Sequence, residues 1–245
     1  MGRFEDRVVV VTGSSSGIGE AAARAFDAEG AKVVVNSSSS VAAGQAVAGS
    51  LRAGVYVRAD VSDPVACAAL VDAAIDRWGR LDVLVNNAGV TEVIAHEDLD
   101  AVTDEIFRRI LDVNLVGTFR LCRLAMPHLR ATGDGSIVNV TSVAGVRPTG
   151  SSIPYAVSKA ALNHLTRLLA NVAGPEVRVN AVAPGLIRTP WTADWGPAHD
   201  SMRRRTPLGR SGEPGEIGGL IVDVAASPYV SGQVVVADGG MSQRT

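Results

Sequence analysis

Short runs of apolar, often β-branched residues alternate along the chain with longer stretches in which apolar positions recur at helical spacing. The short runs lie at residues 8–12, 32–35, 55–57, 81–85, 136–141, 177–183 and 233–237. Unbroken apolar runs of this length are typical of strands buried on both faces of a parallel sheet. The helical stretches lie at residues 21–28, 41–51, 65–78, a long one ending near 129, 153–173 and 214–226. Seven strands that alternate with helices predict an α/β fold, a doubly wound parallel sheet with helices on both faces.

The alternation continues without a linker-like change in composition or an internal repeat, and four serines at residues 37–40 are the sole low-complexity tract. We therefore interpret residues 1–245 as a single domain. Residues 188–212 depart from the pattern, because they show no clean period and contain two of the three tryptophans.

Composition and charge narrow the classes of function. An apolar fraction of 47% with a net charge of −2 over 245 residues excludes a disordered chain and gives no basic excess for nucleic-acid binding. No apolar run approaches the roughly 18 residues of a membrane-spanning helix, and the first seven residues lack a signal-peptide apolar region. Two cysteines and four scattered histidines predict neither a disulfide framework nor a metal site. We expect a soluble cytoplasmic protein.

The loop after the first predicted strand has glycines at positions 13, 17 and 19 and opens a helix. Glycines let a backbone turn sharply and approach a ligand closely, and the free N–H groups of a helix start suit a pyrophosphate. The loop is not of the G-x-x-x-x-G-K-[ST] type, because no lysine follows the last glycine. An ordinary tight turn is the alternative, but the first strand of an α/β sheet ends where nucleotides bind.

Tyr155 and Lys159 lie four residues apart on one predicted helix, so their side chains share a face. A nearby ammonium group lowers the pKa of a tyrosine from its usual value near 10, which makes the phenol a usable proton donor and acceptor. An interfacial tyrosine beside a solvated lysine is the alternative. Ser142 ends the fifth predicted strand, and Asn86 and Asn87 end the fourth at the same edge. These residues are expected to converge on the crevice that faces the glycine loop.

Taken together, the motifs resemble the short-chain dehydrogenase/reductase family. The match runs in family order over nearly the whole chain, through residues 12–19, Asp60-Val61, residues 86–89, Asn114, Ser142, Tyr155, Lys159, Pro184-Gly185 and Thr189. The resemblance implies a Rossmann-type seven-stranded parallel sheet in the order 3-2-1-4-5-6-7. It also implies a homotetramer, and it makes residues 188–212 an insertion that serves as a substrate lid.

The resemblance implies roles for four catalytic residues. Tyr155 gives a proton to a carbonyl oxygen or takes one from an alcohol, and Ser142 holds the same oxygen. Lys159 binds the nicotinamide ribose and tunes Tyr155, while Asn114 anchors a water that feeds protons past Lys159. Ser142 could instead cap a turn, and Asn114 could instead satisfy a helix kink.

The cofactor contacts follow from the same resemblance, with Asp60 and Val61 facing the adenine and Thr189 near the nicotinamide amide; Asp60 could instead simply end its strand. The expected cofactor-binding residues are Gly13, Ser15, Ser16, Gly17, Ile18, Gly19, Asn36, Ser37, Asp60, Val61, Asn87, Ala88, Gly89, Tyr155, Lys159, Pro184, Gly185, Ile187 and Thr189.

The end of the second predicted strand bears on which cofactor is preferred. Sites that prefer NAD(H) place an acid there that repels a 2′-phosphate, whereas residues 36–40 are Asn36 followed by four serines. Asn36 and the serines could donate to the phosphate, although Ser16 and Ser37 stand where many NADP-preferring relatives carry a basic residue. We expect NADP(H) to be preferred modestly, with NAD(H) as the alternative; the serines could instead only cap the next helix.

The expected reaction is hydride transfer between a carbonyl and a secondary alcohol, with Tyr155 as general acid and base. The chain looks most like 3-oxoacyl-carrier-protein reductases and sugar or small-alcohol dehydrogenases, and the small-molecule substrate stays open between them. A nucleotide-sensing protein without catalysis is the alternative from another class, but a sensor needs only the glycine loop. A third alternative is an epimerase or dehydratase of the kind found among the longer relatives, which usually carry an additional C-terminal substrate domain.

Two features near the expected lid admit two interpretations each. Trp191 and Trp195 either line an apolar pocket or hold the lid together. The run at residues 203–205 is three arginines, which could meet an anionic group such as the phosphate of a carrier-bound substrate, or form a solvated face. For the homotetramer, residues 220–222 and 234–236 are the expected apolar surfaces, along with the long helices after the fourth and fifth strands.

Overall fold

Seven parallel strands form one sheet in the computed structural model, which describes residues 2–243. The strands are β1 (Val8–Val11), β2 (Lys32–Ser37), β3 (Gly54–Arg58), β4 (Val83–Asn86), β5 (Gly135–Val140), β6 (Val177–Pro184) and β7 (Val234–Ala237). Their order in the sheet is β3-β2-β1-β4-β5-β6-β7, with every neighbouring pair parallel. The predicted fold class and strand order are therefore confirmed.

Eight α-helices connect and cover the strands within the described residues. They are α1 (Gly17–Ala28), α2 (Val41–Ser50), α3 (Pro64–Trp78), α4 (Asp104–Leu111), α5 (Thr118–Ala131), α6 (Ile153–Ala173), α7 (Gly196–Arg205) and α8 (Pro214–Ala226). The bounds of α6 and α8 are those predicted from the apolar period. Asp63 caps α3, with its carboxylate accepting a hydrogen bond from the Val65 N–H.

Two local predictions need correction. The single long helix expected to end near residue 129 is two helices, α4 and α5, joined by a π-helical segment at Asp112–Gly117. Helix α7 occupies part of the segment in which no period was found. It buries only His199 and Met202 of its ten residues, so its apolar stripe is too sparse to be recognised from sequence.

The valines of β1 show why the sheet is a firm platform. All four have no exposed surface. Val9 and Val11 pack into the layer that contains α1 and α8, while Val8 and Val10 pack into the layer that contains α3 and α5. Burying one such side chain contributes about 1.5–3 kcal/mol, so both faces of β1 resist any displacement of the loop that follows it.

The carboxyl ends of four neighbouring strands bring the candidate residues to one edge. The glycine loop follows β1, the Asn87-Ala88-Gly89 turn follows β4, Ser142 follows β5 and Gly185 follows β6. The chain crosses from one half of the sheet to the other between β1 and β4, and a ligand crevice forms at such a switch in an open parallel sheet. Within residues 2–243, no helix is long and apolar enough to cross a membrane.

The surface expected at residues 220–222 is not available for assembly. Ile221 and Val222 are buried in the core of the single chain, in contact with the layer that covers Val9 and Val11. Residues 234–236 are half-buried. Large exposed apolar side chains lie on the other expected surface, the helical segments after β4 and β5, namely Val116, Phe119, Val157, Leu168 and Val172.

We predict a homotetramer that buries part of this apolar surface. Light scattering should give a particle of about four times the 25.3 kDa subunit mass. Phe119→Glu and Leu168→Glu should each lower that mass, because a charge in an apolar interface is costly to desolvate. A 25 kDa particle for the unmodified protein at working concentration would contradict the prediction.

Candidate active site

A cavity of about 1060 Å³ opens at the carboxyl edge of the sheet. Of the residues predicted for the site, those that line it are Gly13, Ser15, Ser16, Gly17, Ile18, Asn36, Ser37, Asp60, Val61, Asn87, Ala88, Gly89, Ser142, Tyr155, Lys159, Pro184, Gly185, Ile187 and Thr189. Gly19 and Asn114 do not line it. The structure therefore brings nearly all of these residues around one space and leaves two behind its wall.

Two glycines of the loop after β1 have backbone angles that other residues rarely adopt. Gly13 and Gly17 have φ angles of 61° and 59°. Gly19 is required for a different reason, because a Cβ there would lie 2.3 Å from the Gly13 carbonyl oxygen. The Asn87 amide nitrogen donates to the Thr12 and Gly13 carbonyl oxygens at 2.9 and 3.0 Å. The loop is thus held against the end of β4 while α1 begins at its far side.

The role predicted for Asn36 as a donor to a cofactor phosphate needs correction. Its amide nitrogen donates to the Val57 and Ala59 carbonyl oxygens at 3.2 and 3.0 Å. Its amide oxygen accepts a hydrogen bond from the Gly13 N–H at 3.1 Å. The side chain is 1% exposed, and its hydrogen bonds join β3 to the glycine loop, so its amide is not free to donate to a phosphate.

Ser37 and the three serines that follow it also line the cavity at this end of β2. The Ser37 hydroxyl lies 2.9 Å from the Tyr56 hydroxyl, while Ser38 is exposed. Arg58, paired with Ser37 in the sheet, donates from its Nε to the Ser38 carbonyl oxygen at 3.1 Å. A guanidinium therefore stands beside the strand end at which sequence analysis found no cation.

The expected adenine and nicotinamide contacts lie at opposite parts of the wall. Asp60 is exposed, and its Oδ1 accepts hydrogen bonds from the Ser62 N–H and hydroxyl, so the carboxylate also orders its own turn. Val61 is buried beside it. Thr189 approaches the glycine loop from the other side, because a Cβ on Gly17 would lie 3.3 Å from its side chain.

Tyr155 and Lys159 come from the first turns of α6, as the spacing of four predicts. The Lys159 ammonium lies 5.7 Å from the centre of the Tyr155 ring and donates to the Val140 carbonyl oxygen at 2.9 Å. Lys159 is 3% exposed. Ser142 interacts with the Tyr155 hydroxyl, and its own Oγ accepts a hydrogen bond from the Ala144 N–H at 3.1 Å. Ser142 thus caps a turn and faces the tyrosine at once.

The expected lowering of the Tyr155 pKa by the nearby ammonium is wrong for this structure. Burial raises the pKa of Tyr155, because the phenolate loses hydration, and the hydrogen bond with Ser142 opposes this only in part. Burial also lowers the pKa of Lys159 to about 8. Desolvation therefore dominates both groups and favours the neutral form of each.

Asn114 acts on the site from behind its wall. It is fully buried in the π-helical segment, where its amide nitrogen donates to the Val90 carbonyl oxygen and to the Ser158 hydroxyl, each at 3.0 Å. Its amide oxygen accepts from the Val90 N–H at 2.8 Å. The Ser158 hydroxyl in turn donates to the Tyr155 carbonyl oxygen at 2.7 Å. Ser158 is not among the predicted site residues, although its spacing of three from Tyr155 places it on the same side of the helix.

The remaining wall of the cavity is mostly apolar. It is lined by residues at 93–97, 143–150 and 191–205, including Val93, Ile94, Trp191, Trp195 and Met202. The Trp191 ring packs edge-on against the Tyr155 ring, with 6.3 Å between their centres. No group of three or more His, Cys, Asp or Glu residues in the described chain is placed to hold a metal ion.

Known proteins resemble this chain over nearly its whole length. A family model described as enoyl-(acyl carrier protein) reductase matches residues 13–242. A Streptomyces violaceoruber protein named as ketoacyl reductase 2 of the granaticin polyketide synthase is 52% identical over 239 residues, 96% of each chain. The Thermotoga maritima 3-oxoacyl-[acyl-carrier-protein] reductase is 37% identical, covering 98% of this chain and 99% of its own.

A solved structure agrees closely with the whole chain. A Brucella melitensis short-chain dehydrogenase/reductase of the glucose/ribitol dehydrogenase type has a TM-score of 0.92 at 33% identity, over 98% of this chain and 99% of its own. The chain belongs to the short-chain dehydrogenase/reductase family, whose members are oxidoreductases that use a nicotinamide cofactor.

The low pKa of Lys159 predicts a pH-dependent cost to stability. Between pH 8 and 10.5 the unfolded chain binds more protons than the folded one, so the free energy of unfolding rises with pH over that interval. Relative to Lys159→Met, the unmodified protein should gain about 2 kcal/mol between pH 7 and 9.5 in denaturant titrations. Lys32→Met, which removes a lysine at the protein surface, is the control. The difference in free energy of unfolding between it and the unmodified protein should not change with pH. A difference for Lys159→Met that is equally independent of pH would refute the prediction.

Proposed function

We propose that this protein reduces a ketone on an apolar small molecule to a secondary alcohol, or oxidises the alcohol, with a nicotinamide dinucleotide as hydride carrier. The observation that supports it most is the meeting of Tyr155, Ser142 and Lys159 at the wall of one cavity that also contains the glycine loop. A nucleotide sensor would need the loop but not the three polar side chains.

The residues on the glycine-loop side of the cavity fit a dinucleotide. The two positive φ angles turn the loop so that the first N–H groups of α1 are free for an anion. A Cβ at Gly13 would lie 2.9 Å from the Ala88 Cα, and one at Gly17 would lie 3.3 Å from the Thr189 side chain, so the turn has no room for larger residues. Asp60 and Val61 would then face the adenine, and Thr189 the nicotinamide. When bound, the dinucleotide supplies or takes up the hydride.

Tyr155 is suited to hold and transfer the proton. Its raised pKa keeps the phenol protonated at neutral pH, so it can donate to a carbonyl oxygen as negative charge develops there. The Ser142 hydroxyl would donate to the same oxygen and fix its position. Because the Ala144 N–H already binds Ser142 Oγ, this hydroxyl is oriented before a substrate arrives.

Lys159 and Asn114 support this proton transfer from opposite sides. The Lys159 ammonium would bind ribose hydroxyls and carry positive charge beside the phenol. Asn114 is proposed to anchor the water of a proton relay through its backbone carbonyl, because its side-chain amide is committed to Val90 and Ser158. The Thr118 hydroxyl also donates to that carbonyl at 3.1 Å, and a carbonyl oxygen can accept a second hydrogen bond.

The apolar wall favours a ketoacyl-like substrate over a sugar. Tryptophan, valine and isoleucine side chains offer few partners for the hydroxyl groups of a sugar, which would lose hydration without compensation. The names of two relatives, a ketoacyl reductase and a 3-oxoacyl-[acyl-carrier-protein] reductase, agree with this choice. We propose that residues 188–212 form the lid over that substrate.

Tyr155→Phe tests the proton-transfer role. It removes the hydroxyl and keeps the ring that packs against Trp191, so kcat should fall by at least about 100-fold while cofactor affinity changes little. Tyr229→Phe, at a fully exposed tyrosine, is the matched control and should retain full turnover. Near-normal kcat for Tyr155→Phe would exclude Tyr155 as the acid.

For the cofactor, we propose a modest preference for NADP(H), supported by the absence of an acid at the end of β2 and by the Arg58 guanidinium beside Ser38. Asn36→Asp is an unsuitable test, because a carboxylate there would face the Val57 and Ala59 carbonyl oxygens. Ser37 is also buried but lies 2.9 Å from the Tyr56 hydroxyl, which is able to donate to a carboxylate, so Ser37→Asp places a negative charge on the cavity wall where it would repel a 2′-phosphate.

Ser37→Asp should therefore lower the ratio of kcat/KM for NADPH to that for NADH by about tenfold or more, which corresponds to about 1.4 kcal/mol. Ser37→Asn is the neutral control and should keep the original ratio. The proposed preference is wrong if the unmodified protein shows higher kcat/KM with NADH than with NADPH across several ketones.

A further inference from the structure

Arg205 is a cation on the wall of the active-site cavity whose charge is not used by the rest of the fold. It ends α7 and lines the same cavity as Tyr155. Within residues 2–243 its guanidinium has no hydrogen bond and no ion pair. Arg210, five residues further along the chain, is by contrast paired with Glu216 at 2.6 Å. A guanidinium has five donors, so this one is able to bind an acceptor from outside the chain.

The position of Arg205 on α7 is set by helical spacing. Ala198, Met202 and Arg205 are four and three residues apart, so they share one face of the helix. All three line the cavity, and Met202 is buried there. The face that α7 presents to the cavity is therefore apolar along its length and cationic at its end.

Two tryptophans on the cavity wall precede this face in the chain. Trp191 packs against the Tyr155 ring, and Trp195, which precedes α7, lines the next part of the wall. From Ala198 to Arg205 the helix then rises about 10 Å, at 1.5 Å per residue. A ligand lying along α7 would contact apolar side chains over most of this length and a positive charge at the carboxyl end of the helix.

We propose that Arg205 binds an anionic group, a carboxylate or a phosphate, at the far end of the apolar chain that carries the ketone. The inference rests on the proposed function and specifies its substrate class. A planar guanidinium matches either group with two parallel hydrogen bonds. Apolar contact along α7 and charge pairing at its end would together orient the ketone toward Tyr155.

Two other uses of Arg205 predict different results. Arginines in the last turn of a helix stabilise its carbonyl end, but Arg203 shares that position without lining the cavity. Glu97 lines the cavity on the loop after β4, and a pair between Glu97 and Arg205 would act as a closing latch. Glu97 would also repel an anionic substrate, so its removal separates the two cases.

The experiment compares matched pairs of ketones that differ only in charge. One series consists of methyl-ketone carboxylic acids of increasing chain length against their methyl esters. The second pair is acetoacetyl-pantetheine with and without its 4′-phosphate. Each is assayed for kcat/KM with the unmodified protein, Arg205→Gln and the control Arg203→Gln, which removes the same charge from the same helical turn.

In the unmodified protein and in Arg203→Gln, the anionic member of at least one pair should be preferred by about tenfold at low salt. Arg205→Gln should reduce this preference to near unity with little change for the neutral member. Added NaCl should weaken the preference only where Arg205 is present. The arm that shows the preference identifies a carboxylate or a phosphate as the bound group.

An unchanged preference in Arg205→Gln would overturn the inference. The inference would also be overturned if Arg205→Gln and Glu97→Gln each lowered kcat/KM equally for charged and neutral ketones. That result would indicate a latch between the two residues, because a latch affects every substrate. If no ketone is reduced, the proposed function fails. Binding of the same compound pairs is then measured by the quenching of tryptophan fluorescence, which tests the anion subsite separately from the reaction. Tighter binding of the anion that is lost in Arg205→Gln keeps the inference, and equal binding refutes it.

Discussion

The valines of β1 have no exposed surface on either side of the sheet, and that burial decides where the chain can place polar groups. A strand covered on both faces is exposed to water only at its ends. Because the strands are parallel, their carboxyl ends meet at one edge, and the chain reverses its direction across the sheet between β1 and β4. The glycine loop, the turn after β4, Ser142 and Gly185 are therefore neighbours as a consequence of the sheet.

Three side-chain amides, of which Asn36 and Asn114 are buried and Asn87 is half-buried, turn that edge into a rigid site. Asn36 joins β3 to the glycine loop, Asn87 joins β4 to it, and Asn114 joins the π-helical segment to Val90 and α6. Each amide binds backbone groups that would otherwise be buried without partners, which costs about 1–3 kcal/mol per group. Their contribution to function is indirect, since they hold the loops that carry the reacting groups.

The apolar pattern predicts the strands and the helices with a clear period, while the sheet order and most of the residues that meet at the cavity follow from the resemblance to the short-chain dehydrogenase/reductase family. Prediction from sequence fails where one residue type suits two roles. Asn36 is as consistent with a ligand donor as with a strand connector, and only the distances to Val57 and Ala59 decide. Ile221 and Val222 read as surface because an apolar run does not tell which partner covers it. Arg58 could not be recognised, since its nearness to Ser38 comes from pairing between β2 and β3.

The electrostatics of Tyr155 and Lys159 show the same limit and its physical reason. Spacing on a helix predicts that the two groups are near each other, and charge proximity alone would stabilise a phenolate. Burial acts on both groups in the opposite sense, raising the pKa of the phenol and lowering that of the ammonium to about 8. The fold thus favours a protonated Tyr155 and weakens the hold of Lys159 on its own proton; in the proposed reaction, a proton that Tyr155 gives to a substrate oxygen would be replaced from the lysine side. The same desolvation that arranges this transfer makes the site costly to fold, which is the expected relation between a reactive site and the stability of its scaffold.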